Sequence, residues 1–151
     1  MAKVKLYPEL EVPEMLLADR RSAYGLRTYV SLFSSAGVGC YGFKEEGFYC
    51  VATVELLERR LKIQKFNQKC VYNSGYICGD MTTQETKDKV FAELAMWERG
   101  FNLTDLDVLI ATPPCQGMSV ANHKKKDELK RNSLVVESIK MTQQIKPKFF
   151  I

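Results

Sequence analysis

The stretch "LRTYVSLFSSAGVG", Leu26 to Gly39, decides how the rest of the chain is read. Its first half, Leu26 to Phe33, is rich in β-branched and aromatic residues and reads as a buried strand. Its second half is a run of small residues, which lets a chain turn tightly between a strand and a following helix. Such a turn also brings backbone N–H groups and the positive end of a helix close to any bound anion or ligand. On its own it is equally a tight turn and nothing more, so its neighbours have to decide.

Outward from that turn the periodicity alternates. "CYGFKEEGF" reads as a short helix stopped at Gly47, and Phe48 to Glu55 as a second strand ending in an acid. "LLERRLKIQKF" spaces Leu57, Leu61 and Phe66 as the apolar face of an amphipathic helix. "GYICGD" is a third, weak strand ending in Asp80. The segment after it is a helix capped by Thr82 or Thr83 and closed by Gly100. Leu106 to Thr112 is the most apolar strand of the chain. "NSLVVESIKMTQQI" sets Leu134, Ser138, Met141 and Ile145 on one helical face, and "KPKFFI" opens a fifth strand. Strands alternating with helices predict an α/β fold with a doubly wound, mainly parallel sheet. The expected division is an N-terminal arm over 1–27, where Pro8 and Pro13 oppose a long helix, and a Rossmann-like domain over 28–151.

In a sheet of that kind ligands bind beyond the carboxyl ends of the strands. The small-residue turn, Glu55, Asp80 and Cys115 fall at four successive strand ends. Glu55 is suited to accept hydrogen bonds from ribose hydroxyls, and Asp80 from an adenine amino group. Each has a plainer reading, a solvated carboxylate and a helix cap respectively. Together they point to an adenosine-containing ligand. In "ATPPCQGMS" Pro113 and Pro114 end the fourth strand and hold Cys115 in a stiff loop, since proline fixes φ and donates no backbone hydrogen bond. A thiol beside an electrophilic methyl donor suggests covalent catalysis.

Composition bounds the alternatives. The 151 residues suit one domain with a modest core, and 46% are hydrophobic. The net charge of +4 permits a polyanionic partner. Five cysteines with no C-x-x-C pair, and one histidine, give no expectation of a metal site. Cys40, Cys50, Cys70 and Cys78 are expected as reduced, packed side chains in a cytoplasmic protein. Trp97 is expected as a core anchor. No apolar run reaches the ~20 residues a membrane span needs.

The blocks "VSLFSSAGVGCYGFKEEGF", "VATVE", "GDMTT", "DVLIATPPCQGMS" and "RNSLVVESIKMTQQIKPKFFI", in that order, resemble the DNA cytosine-5 methyltransferase family over Tyr29 to Ile151. The resemblance implies S-adenosyl-L-methionine as cofactor and a flipped cytosine of double-stranded DNA as substrate, in a bacterial or phage setting of restriction–modification. It implies that the Cys115 thiolate adds to C6 of the base. Phe33, the turn through Ser34, Ser35, Ala36 and Gly37, then Glu55, Leu56, Asp80, Met81, Pro114 and Leu134 would line the cofactor pocket. Gln116 and Ser119 would face DNA, Arg131 would lie near the target base, and Lys124, Lys125 and Lys126 could meet phosphates. The chain departs from the family's F-x-G-x-G-G turn at Ser35 and Val38, and has Ser31 where an aspartate often stands.

The resemblance also implies a Glu-Asn-Val triad after the fifth strand, a later arginine and a target recognition domain, none of which this sequence contains. A split enzyme with a second polypeptide, an expressed fragment and an interrupted gene are the three explanations. The expectation is little methyltransferase activity from the chain alone and an exposed apolar edge at the fifth strand. Three other readings stay open: a non-catalytic S-adenosylmethionine-binding subunit, an RNA cytosine-5 methyltransferase fragment and an unrelated nucleotide-binding protein.

Overall fold

A computed structural model describes residues 25–114 and 128–151, with the side chains of 128–132 left aside. Five strands form one parallel sheet in the order β3-β2-β1-β4-β5. They are β1 (Thr28–Leu32), β2 (Tyr49–Glu55), β3 (Tyr76–Cys78), β4 (Val108–Ala111) and β5 (Phe149–Phe150). Between them lie α1 (Tyr41–Glu45), α2 (Glu58–Phe66), α3 (Gln84–Phe101) and α4 (Glu128–Ile145), with short 3-10 turns at Val38–Cys40 and Asn73–Gly75. The order reverses between β1 and β4, which makes the gap above those two strands the switch point of the sheet.

The central strands are buried on both faces, as a covered parallel sheet requires, and β1 is buried at every position. Side-chain alternation then sorts the residues. Val30, Leu32, Val54 and Leu109 face a core shared with Val90, Trp97 and Phe101 of α3 and Met141 of α4. Tyr29, Cys50, Val108 and Ile110 face the other way, where Cys40, Cys70 and Phe43 cover them. Trp97 is fully buried, as expected of a core anchor, and stacks at 4.8 Å from Phe101. At the amino ends of the strands one carboxylate ties three of them: Asp107 accepts from the Thr28 N–H at 2.8 Å and from Lys148 Nζ at 2.7 Å.

Three details differ from the sequence expectation. Phe66 is 88% exposed and Leu57 is also open, so the α2 stripe of Leu57, Leu61 and Phe66 does not exist; the buried face is Leu61 and Gln64. Helix α3 runs through Gly100 and ends at Asn102, which takes the left-handed conformation itself at φ 55°. Its cap is Thr83, whose side chain accepts from the Thr86 N–H. Cys78 is exposed rather than packed, because β3 is a short edge strand.

Candidate active site

The chain leaves β1 through a turn with three left-handed residues in five: Phe33 at φ 55°, Ser35 at φ 51° and Gly37 at φ 87°. For a non-glycine residue that conformation costs about 1–2 kcal/mol, so surrounding bonds must hold it. Ser34 donates from its N–H (2.9 Å) and its hydroxyl (3.1 Å) to the carbonyl of Val54 in β2. The Ser35 N–H donates to Glu55 Oε2 at 2.8 Å. Gly37 closes the turn onto the Ser34 carbonyl at 2.9 Å. Gly37 takes φ 87°, which favours glycine, and a Cβ there would crowd Gln64 Cγ at 3.0 Å.

Glu55 is the centre of this arrangement and is only 5% exposed. Its Oε1 accepts from the Leu57 N–H at 3.1 Å and from Arg60 Nη1 at 3.3 Å, while Oε2 accepts from Ser35. A carboxylate has about four acceptor positions. Three are used by the described residues, which leaves one on Oε2 for an incoming hydroxyl. Beside it Leu56 is 62% exposed and offers an apolar surface at the strand end. The Gly79 N–H donates to the Glu55 carbonyl at 3.1 Å and brings the end of β3 to the same rim.

Asp80 follows on that rim. Its Oδ1 accepts from both the N–H and the hydroxyl of Thr82, each at 2.9 Å, so this carboxylate shapes the turn before α3 while Thr83 is the cap proper. Oδ2 has no partner among the described residues. Met81 is different: at 2% exposure it packs in the core, so it stands behind the rim and not open on it. On the other side of the switch point, Thr112 ties the end of β4 to the turn. Its N–H donates to the Leu32 carbonyl at 3.2 Å and its hydroxyl to the Phe33 carbonyl at 3.1 Å. Pro114, two residues on, is exposed beside it. Leu134 is half-buried on α4.

The structure therefore brings together Phe33, Ser34, Ser35, Ala36, Gly37, Glu55, Leu56, Asp80 and the strand end that leads into Pro114. Cys115, Gln116, Ser119, Lys124, Lys125 and Lys126 lie outside the described residues, as does the side chain of Arg131. Among the described residues no group of three His, Cys, Asp or Glu is placed to hold a metal ion. No described helix is long and apolar enough to cross a membrane. A cavity of about 410 Å³ lies at the opposite end of the strands, between Gly25, Asn102, Asp105 and Lys148. It lies away from the switch point, where a parallel sheet of this order binds ligands.

Sequence reasoning missed Gln64 and Arg60. Both sit on α2, whose face had been assigned to leucine and phenylalanine. The available signal was Gln64 itself, a polar residue three positions after Leu61 and so on the same helical face.

Strand order and connections define a doubly wound α/β domain. Solved structures that share the fold include one described as a DNA modification methyltransferase encoded within an Escherichia coli prophage (TM-score 0.56, 22% identity, covering 82% of this chain and 30% of that one), and an apo SCOR enzyme from Clostridium thermocellum (TM-score 0.50, 17% identity, covering 79% of this chain and 49% of that one). Sequence separates these two. The description "C-5 cytosine-specific DNA methylase" matches residues 27–151, and the chain belongs to that family. Its relatives include the Type II methyltransferase M1.HgaI of Avibacterium volantium, 35% identical over 81% of this chain and 32% of the relative. M.XorII of Xanthomonas oryzae pv. oryzae is 31% identical over 81% of this chain and 26% of the relative. M.AquIA of Picosynechococcus sp. is 30% identical over 81% of this chain and 46% of its own length. The chain thus spans between a quarter and a half of these relatives.

Proposed function

We propose that this chain carries the cofactor seat and the nucleophile of a DNA cytosine-5 methyltransferase, with S-adenosyl-L-methionine as methyl donor and double-stranded DNA as substrate. The observation that supports this reading is the left-handed turn closed onto Glu55, in a member of the C-5 cytosine-specific DNA methylase family. The residues present fit the donor. Glu55 keeps one acceptor position for a ribose hydroxyl, Leu56 offers an apolar face to an adenine ring, and Asp80 Oδ2 is available to its amino group. Bound there, S-adenosylmethionine supplies an electrophilic methyl group on a sulfonium.

The chain's own chemistry is carried by Cys115. Its thiolate adds to C6 of a cytosine taken out of the stack, forming a C–S bond and leaving C5 electron-rich. Once C5 is substituted, its proton leaves to a base and the C–S electrons return to sulfur, which restores the ring. Only a soft nucleophile both adds and departs readily. Gln116, Ser119 and Arg131 act at the DNA side in this reading, and Lys124, Lys125 and Lys126 neutralise phosphates, making affinity fall with salt.

The relatives are roughly two to three times as long as this chain, so we assign full turnover to the chain together with a further polypeptide segment, in the same or a second chain. The exposed Phe149, Phe150 and Ile151 support a covering segment at β5. The test has two arms. Calorimetric titration of the 151-residue chain should show S-adenosylmethionine binding in preference to NAD; the reverse preference overturns the cofactor assignment. In the full-length assembly, Cys115→Ser should abolish methyl transfer to duplex DNA and leave cofactor affinity within about twofold. Transfer that survives Cys115→Ser sinks the covalent route, and robust methylation by the 151-residue chain alone sinks the need for a further segment.

A further inference from the structure

Helix α2 presents one polar side chain to the interior, Gln64, 1% exposed. Three of its amide's four hydrogen-bonding positions are engaged. Nε2 donates to the Ser35 carbonyl at 2.6 Å and to Ser34 Oγ at 2.8 Å, and Oε1 accepts from Thr53 Oγ1 at 2.8 Å. The orientation follows from the partners, because a carbonyl can only accept and so must meet the NH₂ group. The network continues outward: Lys69 Nζ donates to Thr53 Oγ1 at 3.1 Å, and the Ser34 hydroxyl donates to the Val54 carbonyl. Every polar group along the path has a partner, the condition under which a buried network fixes one geometry.

What that network holds is the strained part of the turn. Ser35 is a non-glycine residue at φ 51°. Gln64 grips its carbonyl while Glu55 grips its N–H, so both ends of this one residue are clamped from opposite directions by α2 and β2. Gln64 also fills the space below Gly37. We infer that Gln64 is a positioning residue for cofactor binding: its amide keeps Ser35 in the left-handed conformation and so sets the shape of the turn before any ligand arrives. Gln64 does not touch the cofactor in this role. The inference rests on reading the turn as the cofactor seat, but the clamp on Ser35 is testable without it.

The test is a double-mutant cycle on the full 151-residue chain with Gln64→Met, which keeps length and volume but removes the donor, and Ser35→Gly, which makes the left-handed conformation free of strain. Two readouts are taken: S-adenosylmethionine affinity by titration, and the urea midpoint without ligand. Gln64→Met should weaken cofactor binding about tenfold. Ser35→Gly alone sets the reference of the cycle. The double variant should bind within about threefold of Ser35→Gly alone, and Ser35→Gly should raise the urea midpoint more in the Gln64→Met background than in the wild type. Leu61→Ala, a truncation on the same buried face, should gain nothing from Ser35→Gly. Additive effects in the cycle, or undiminished affinity in Gln64→Met, overturn the inference. Should Gln64→Met fail to fold, folding of the double variant supports the clamp, and failure of both assigns Gln64 to core packing and overturns it. A wild-type chain that binds no S-adenosylmethionine removes the cofactor reading, while the urea cycle still decides the clamp.

Discussion

The carboxyl ends of β1 and β2 and the outer edge at β5 are built in opposite ways. At the first, Ser34, Ser35, Thr53, Glu55 and Gln64 are all hydrogen-bonded to one another or to backbone, and four of the five are buried. At the second, Phe149, Phe150 and Ile151 are apolar and exposed, and backbone hydrogen bonds join them to β4. Buried polar groups cost free energy unless every one is partnered. A sequence that places them together is specifying a shape. Exposed apolar groups specify no shape, but they favour being covered. The contrast therefore separates a preformed turn from an exposed apolar surface.

The largest effect that can test this contrast is in the packing beneath β2. Trp97 is fully buried against Phe101 and Tyr72, with the Tyr72 ring centroid at 5.9 Å in an edge-on contact. Trp97→Ala should cost about 3–5 kcal/mol. In a domain of this size that lowers the melting temperature by roughly 10 °C, measured by circular dichroism. Phe150→Ala, at 46% exposure, should cost a small fraction of that. Equal losses would erase the distinction between the two regions.

Next comes Glu55. Its removal leaves three donors without their acceptor: the N–H groups of Ser35 and Leu57, and Arg60. Glu55→Ala should destabilise by about 2 kcal/mol, given that bonds to charged groups are worth roughly 1.5–3 kcal/mol each and that Arg60 and Ser35 can turn to water. It should also weaken S-adenosylmethionine binding by tenfold or more. Urea unfolding and titration read the two effects separately. A stable Glu55→Ala chain with unchanged affinity would mean that the carboxylate neither shapes the turn nor meets the ligand.

These residues also show what a sequence can and cannot disclose. The strands were legible because each is a β-branched or apolar run bounded by glycine, proline or an acid, and a parallel sheet demands such runs. Glu55 and the turn were legible because strand ends are where this topology binds ligands. Gln64 was not, because its partners are 11, 29 and 30 positions earlier, and its place beside Leu61 marks only the buried face and not what it bonds to. The face of α2 was misread for the same reason: Phe66 looks like a core residue until the fold leaves its position outside. The end of α3 was misread because Asn102 takes over a left-handed position usually given to glycine. Met81 sits inside because the rim at β3 is formed by Gly79 and Asp80, and the chain turns inward immediately after them.

A smaller effect probes the link between the two regions. Lys87 of α3 pairs with Glu137 of α4, and Lys140 meets the same carboxylate at 2.8 Å. Hydrogen bonds from Lys140 and Lys87 hold the Glu137 carboxyl below its ordinary range. A depressed carboxylate contributes stability that is present above its unfolded value, about 4.3, and is lost as pH falls through its folded one. Glu93 of α3 runs the other way. Burial raises its pKa against a weaker hydrogen bond from Ser74, so its contribution declines as pH rises from about 4.3 through the raised value. The urea midpoint of Glu137→Gln should therefore fall less steeply below pH 4 than that of the wild type. Glu93→Gln should raise the midpoint at pH 7 and leave it unchanged at acid pH. An unaltered acid limb in Glu137→Gln would show that α3 and α4 are joined by packing alone.

The smallest expected effect is at β5 and is the most direct test of its character. The Phe149 N–H donates to the Asp107 carbonyl at 2.8 Å and the Ile151 N–H to that of Leu109 at 3.0 Å. A side chain at position 149, 67% exposed, takes no part in those bonds. Phe149→Lys should thus change unfolding free energy by no more than about 0.5 kcal/mol. It should nevertheless reduce self-association, since a lysine on an outer strand opposes edge-to-edge pairing, and light scattering at rising chain concentration measures that. The two readouts divide the possibilities cleanly. A loss of stability near that of Trp97→Ala would mean that Phe149 is packed, and the contrast with the turn would fail. Unchanged scattering with unchanged stability would mean that the apolar edge exerts no attraction of its own, and the case for a covering segment there would lose its physical basis.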